Sequence, residues 1–241
     1  MKKRIAIIGS RNLACEITKW IVETQDVIIV GGIYPPFKGW WEDEFKTVLI
    51  DNQIPVFEDL KQLLKEKPDV IFSINYWKKI DYEDIKLVPG GIVNIHHSHL
   101  LKYKGRYSNS WAIINARKLN CWEHGTTLHY INEKLDEGDI ISSYKCKITE
   151  NETAETLFEK VESLAIEMFK DSFNNIINNI KINYLQPDKN SFFYDKNSNN
   201  LEISYGIPPE EVYDFVRAWS FKDRPKPYFN FNGVKVYLSL K

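Results

Sequence analysis

The stretch Arg4-Ile5-Ala6-Ile7-Ile8-Gly9-Ser10 decides the fold class. It is a continuous aliphatic run closed by glycine, and Leu13, Ala14, Ile17, Trp20 and Ile21 follow it at helical spacing. A strand that is apolar on both sides must be covered on both sides, which is the environment inside a parallel sheet. The same reading recurs at residues 27–34, which end in Pro35-Pro36, at 70–74 after a helical stretch over 57–64, and at 91–95 after a short segment over 81–87. Strands alternating with helices predict an α/β fold whose mostly parallel sheet carries helices on both faces.

Further along, a helix with Trp111, Ile113 and Ile114 precedes two alternating segments, 126–131 and 139–148, joined through Asp136-Glu137-Gly138. Ala154, Leu157, Phe158, Val161, Leu164, Ala165 and Met168 then recur at i, i+3, i+4, with the apolar pattern continuing to Ile180, and predict an amphipathic helix lying on the sheet. After Tyr184 the chain turns polar through Gln186-Pro187-Asp188 and 197–200, a boundary signal. The expected division is a main domain over 1–183 and a small extension over 184–241, the latter with a helix over 208–219 and a hairpin over 228–238 turning at Asn232-Gly233.

The 241 residues carry 32 basic against 33 acidic side chains, a formal net charge of −1, which argues against a nucleic-acid or anionic-membrane partner. Seven Trp and 43% apolar residues exclude a disordered chain, and no apolar run approaches the roughly 20 residues that span a bilayer. Cys15, Cys121 and Cys146 are widely separated, without a C-x-x-C pair, and read as reduced and structural. Met1-Lys2-Lys3-Arg4 starts like a signal peptide, but the apolar run that follows ends at Gly9, so the expected compartment is the cytoplasm.

The informative polar stretch is Asn94-Ile95-His96-His97-Ser98, directly after an apolar strand. Ligands gather at the carboxyl ends of strands in such sheets. In extended chain Asn94 and His96 share a face about 6.5–7 Å apart while His97 turns away. An amide that can donate to a developing oxyanion, beside an imidazole, suits acyl transfer once a third group sets the imidazole's charge. Asp136, at a turn between two strands, is the candidate for that group. The plainer alternatives are a strand-end cap for Asn94, a half-buried histidine for His96 and a turn former for Asp136. His96, His97 and His99 suggest a metal cluster, but neighbouring strand side chains diverge and no metal is expected; His124 and His129 read as structural. Trp40-Trp41 reads as a local hydrophobic cluster, with a lid or an oligomer contact as alternatives.

The ordered set Asn94-x-His96-x-Ser98, Lys104-Gly105, Trp111-Ala112-Ile113, Gly125-Thr126-Thr127 and Leu135-Asp136-x-Gly138 resembles the 10-formyltetrahydrofolate-dependent formyltransferases. The likeness runs over residues 1–180, and the fold it implies is Rossmann-like. By that resemblance Asn94, His96 and Asp136 fall on the family's catalytic asparagine, histidine and aspartate. The segments from Ser73 to Ile80, Lys104 to Tyr107 and Trp111 to Asn115, with the short C-terminal helix and hairpin, look most like sugar N-formyltransferases acting on dTDP-linked amino sugars. A pI near 6.5 and a length of 241 residues argue against the tRNA enzymes of the family. Leu101 stands where the family usually has proline, which puts the loop after Ser98 in question.

The resemblance implies 10-formyltetrahydrofolate as cosubstrate, without a metal, and a homodimer. It places the pterin beside Asn75, Tyr76 and Trp77, with Asp139 on the opposing turn; core packing is the alternative for Tyr76 and Trp77. Gly9-Ser10-Arg11 lacks the G-x-G-x-x-G dinucleotide pattern, yet Ser10, Arg11 and Lys78 could meet a diphosphate. Lys104, Gly105 and Arg106 are expected at the sugar-nucleotide mouth, and one or two of Trp219, Phe221 and Tyr228 are expected to stack on thymine. The expected substrate is dTDP-4-amino-4,6-dideoxyglucose, then a 3-amino sugar, for surface polysaccharide such as the O-antigen of lipopolysaccharide. The alternatives are another amine, such as glycinamide ribonucleotide, and a nucleotide-sugar-binding protein without turnover.

Overall fold

The structure, a computed structural model, describes residues 1–36, 44–180, 183–222 and 224–240; Trp40-Trp41 lies outside the described residues. Ten strands and seven helices follow one another along the described chain as β1 (Lys3–Gly9), α1 (Arg11–Thr24), β2 (Val27–Ile33), α2 (Glu44–Asp51), α3 (Leu60–Leu64), β3 (Val70–Ile74), α4 (Tyr82–Ile85), β4 (Ile92–His96), β5 (Tyr103–Gly105), α5 (Ser108–Lys118), β6 (Glu123–Tyr130), β7 (Ile140–Lys147), α6 (Ala154–Ile177), β8 (Phe192–Tyr194), α7 (Pro209–Ala218), β9 (Tyr228–Phe231) and β10 (Val234–Tyr237). The main sheet has the order β2-β1-β3-β4-β6-β7; β1 to β4 run parallel, and β6 returns antiparallel to β4. This is the α/β, Rossmann-like arrangement that the alternating pattern predicts.

The chain forms two compact units: Met1–His96, Thr127–Ser143 and Ala165–Gln186 in the first, and His97–Thr126, Tyr144–Leu164 and Pro187–Lys241 in the second. In the first, β1 is buried on both sides. Ala6 and Ile8 join Val30, Ile33, Leu60, Leu63 and Ile71 in one apolar cluster, while Ile5 and Ile7, turned the other way by strand alternation, are equally buried. Phe72 contributes to an aromatic group with Phe169 and Phe173, at 4.9 and 5.6 Å between ring centroids, and Trp20 meets Phe173 edge-on at 5.4 Å. The last turns of α6 thus cover the sheet as its apolar stripe requires; the helix stops at Ile177, short of the apolar pattern's end, where Asn179 takes a left-handed φ of 51°.

The second unit is built on aromatic side chains. Three-residue β5 pairs in parallel with β8, Tyr103 stacks on Phe192, and Trp111 lies flat on Tyr194 with centroids 4.2 Å apart. Arg217 of α7 is fully buried: Nε donates to Asp214 Oδ1 at 2.9 Å and Nη1 to the carbonyls of Thr149 (3.0 Å) and Glu152 (2.9 Å). Arg117 of α5 donates to the other Asp214 oxygen at 2.7 Å, so one carboxylate joins the two helices. At Leu101, where proline was expected, φ is +54°, next to +46° at Leu100. Proline is locked near −65° and cannot take that conformation, so the departure from the family pattern has a local backbone consequence.

Candidate active site

Register across the sheet assembles the site. Gly9 pairs with Ile74 and Ile74 with Ile95, so one residue further on Ser10, Asn75 and His96 leave the ends of three adjacent parallel strands. Gly9 allows the close approach: a Cβ there would collide with the Ile74 carbonyl, which accepts from the Ser10 amide at 3.0 Å. Ser10 Oγ donates to the Asn75 carbonyl at 3.0 Å. Arg11 and Asn75 both take left-handed φ values, 69° and 56°, as strained backbone at ligand sites often does.

Antiparallel pairing of β4 with β6 sets Asn94 opposite His129 and His96 opposite Thr127. Asn94 Nδ2 lies 3.1 Å from His129 Nε2. The turn after β6 brings in Asp136, 8% exposed and at φ 51°, with Oδ2 3.7 Å from His96 Nε2 and Oδ1 3.8 Å from His129 Nε2. Gly138 lets that turn fold back, since a Cβ would strike the Tyr130 carbonyl. Of the three residues singled out by sequence, Asp136 faces His96 directly, and Asn94 is joined to the same carboxylate through His129. His129, which has no partner spacing in the sequence and read as structural, belongs to the same cluster. Burial pushes the His129 imidazole down to about 4, against the opposing pull of Asp136, and the neighbouring His96 adds to the fall. Its Nδ1 is 2.9 Å from the Tyr130 carbonyl, an acceptor only, so the ring's proton sits on Nδ1.

The remaining positions divide between the units. In the first, Tyr76 and Trp77 pack against each other at 4.7 Å and onto the apolar cluster of β1 and α3, while Lys78 is exposed with Nζ 5.9 Å from the Trp77 ring. Asp139 is exposed, and its carbonyl accepts from the Tyr130 amide at 2.9 Å. In the second, Lys104 and Gly105 belong to β5, and Arg106 is exposed, its amide donating to the Tyr194 carbonyl at 2.8 Å. Trp219 is only 5% exposed and packs with Tyr107 and Phe215 in the core, so it is not an open aromatic platform. Phe221 meets Phe158 edge-on at 5.5 Å, and Tyr228 lies in the hairpin with Lys235 Nζ 4.3 Å from its ring. Among the described residues no group of three or more His, Cys, Asp or Glu could hold a metal ion, and no helix is long and apolar enough to cross a membrane.

The formyl transferase family profile matches residues 53–172. The bifunctional polymyxin resistance protein ArnA of Wigglesworthia glossinidia brevipalpis is 34% identical over 184 residues, 72% of this chain; the chain spans 27% of that relative's length. A 4-N formyltransferase from Francisella tularensis has the same fold, with a TM-score of 0.81 at 21% identity over 99% of this chain and 97% of its own. An N-formyltransferase from Helicobacter canadensis, solved with folinic acid and dTDP-3-aminofucose, superposes with a TM-score of 0.79 at 27% identity over 98% of this chain and 86% of its own. The sheet order, the ordered motifs that end on Asn94, His96 and Asp136, and these matches agree that the chain belongs to the formyl transferase family.

Proposed function

We propose that the protein is a sugar-nucleotide N-formyltransferase, moving a formyl group from 10-formyltetrahydrofolate to the amine of a dTDP-amino sugar, with dTDP-4-amino-4,6-dideoxyglucose as the expected substrate. The observation that carries the reading is the cluster at the carboxyl end of β4, in which Asp136 faces both His96 and His129 and Asn94 meets His129. The reaction forms a bond from the amine nitrogen to the formyl carbon and breaks the bond from that carbon to the folate nitrogen. In between, the formyl oxygen carries negative charge and the amine nitrogen must lose a proton. Asn94 and His96 donate to that oxygen, and Asp136 orients His96 and shares the departing proton, which ends on the folate nitrogen.

In the same reading the pterin lies beside Asn75, Tyr76 and Trp77, with Asp139 on the opposing turn. Asn75 Nδ2 is buried and has no hydrogen-bond partner among the described residues, a donor suited to an acceptor on a flat heterocycle. Ser10, Arg11 and Lys78 serve the diphosphate, Lys104, Gly105 and Arg106 the sugar-nucleotide mouth, and Phe221 or Tyr228 the base, with Trp219 supporting from the core. Residues 1–183 carry the catalysis and 184–241 the extension. A 3-amino sugar is the second reading, favoured by the dTDP-3-aminofucose in the Helicobacter canadensis relative.

A homodimer fits the hairpin, where Phe231 (63%), Val234 (63%), Val236 (51%) and Tyr237 (61%) are exposed on a two-stranded sheet. The protein would work in the cytoplasm and feed surface polysaccharide synthesis. The test is mass-spectrometric formylation of a panel containing 4-amino and 3-amino dTDP sugars and glycinamide ribonucleotide. A product only from a dTDP sugar supports the reading and assigns the carbon. A product only from glycinamide ribonucleotide, or affinity for dTDP without any product, overturns it.

A further inference from the structure

The deepest polar group of the cluster is not one of the three acting residues but His129, 2% exposed, held between Asn94 and the Tyr130 carbonyl. Its two ring nitrogens face opposite demands. Nδ1, 2.9 Å from a carbonyl that can only accept, must carry the proton; Nε2 in the neutral ring is then an acceptor and requires a donor opposite it. The primary amide of Asn94 can turn either its nitrogen or its oxygen that way, and only the nitrogen satisfies a neutral ring.

We infer that His129 is a positioning residue for formyl transfer, its unprotonated Nε2 fixing the Asn94 side-chain amide with the nitrogen toward the reacting centre. Protonation of the ring would make Nε2 a donor, and the amide would then turn its oxygen inward, presenting a lone pair where the formyl oxygen needs a hydrogen. Burial of the ring opposes that protonation, as does the positive charge His96 takes on when protonated, 6.5 Å away between ring centroids; Asp136 Oδ1, at 3.8 Å, favours it. A neutral acceptor in that place therefore keeps one of the amide's two orientations, and the amide is set before substrate arrives rather than by it.

This role rests on the formyltransferase reading, and the experiment separates the two. The substitutions are His129→Phe, which keeps a flat ring and removes the acceptor, and His129→Gln, which can return an oxygen acceptor at the Nε2 position. In the formyl-transfer assay His129→Phe is expected to lower kcat by about 10-fold to 100-fold while KM for both substrates moves less than about 3-fold, and His129→Gln to recover most of the loss. Adding Asn94→Ala to His129→Phe should cost little beyond Asn94→Ala alone, because both changes disable one amide. Full kcat in His129→Phe, or losses that multiply in the double variant, overturns the positioning role while the function stands; absence of turnover in the wild type on every donor and acceptor pair overturns the function instead. Nitrogen-15 NMR of the imidazoles in the wild-type protein needs neither turnover nor a stable variant. A neutral ring protonated on Nδ1 at pH 7 is expected for His129, and an Nε2–H tautomer or an imidazolium contradicts the inference.

Discussion

Asp214 and Asp136 are buried carboxylates that each face two cationic or potentially cationic side chains, and they are built differently. Asp214, in the second unit, is held by direct hydrogen bonds at 2.9 Å from Arg217 and 2.7 Å from Arg117, and Arg217 is tied further to two backbone carbonyls. Asp136, in the first, stands 3.7 and 3.8 Å from the nearest nitrogens of His96 and His129. Arginine stays charged at any ordinary pH and its planar fork locks a carboxylate in place, whereas an imidazole can gain or lose a proton. The first arrangement fixes α5, α7 and the segment that leads into α6. The second leaves room for a proton to move, and its backbone is strained at Asp136 to hold the carboxylate there. Burial and opposite charge alone do not separate a structural pair from a reactive one; distance and the titratability of the partner do.

The sharpest way to break that contrast is to cut each cluster and read stability and turnover separately. Arg217→Ala leaves a buried carboxylate short of a partner and should cost about 3–5 kcal/mol of unfolding free energy, measured by denaturant titration, with kcat of the folded protein unchanged at low temperature. His96→Ala should do the reverse, lowering kcat by about 100-fold or more, equivalent to about 2.7 kcal/mol in the barrier, with a melting temperature within a few degrees of wild type. If Arg217→Ala instead lowered kcat, or His96→Ala unfolded the protein, the division of labour between the two carboxylates would fail.

Much of this was legible in the sequence, and the reasons are local. The runs that became β1 and β3 are mostly apolar on both faces, so length and composition settle them, and in β4 strand alternation put Asn94 and His96 on one face. Asp136-Glu137-Gly138 read as a turn because the residue types demand it. Strands β5 and β8 did not show: each has three residues, they lie nearly ninety positions apart, and neither Tyr103-Lys104-Gly105 nor Phe192-Phe193-Tyr194 alternates. The part played by His129 was equally hidden. It depends on the antiparallel register of β4 with β6, which places it opposite Asn94, and on a tautomer fixed by its own neighbour's carbonyl. Trp219 looked like a surface aromatic for the same reason, since only the packing of α7 against Tyr107 shows that it is covered.

A smaller effect sharpens the comparison through pH. Burial holds the folded His129 below its unfolded value near 6.5, so the unfolded chain takes up a proton that the folded chain refuses. The sign follows: this residue contributes a loss of stability that sets in as pH falls below about 6.5 and grows until about 4, with no contribution above. His129→Gln should therefore show a shallower decline of unfolding free energy over that window than wild type. Parallel curves for wild type and His129→Gln would mean that the ring is already protonated in the folded protein.

The most direct measurement is the rate of formyl transfer from 10-formyltetrahydrofolate to dTDP-4-amino-4,6-dideoxyglucose by wild type and by Asp136→Asn, which keeps the shape and removes the charge. The expected result is an N-formylated sugar nucleotide from the wild type and a rate lower by about 100-fold or more from Asp136→Asn at an unchanged melting temperature. Equal rates from the two proteins would contradict the claim that the Asn94, His96 and Asp136 cluster is where the formyl group is transferred.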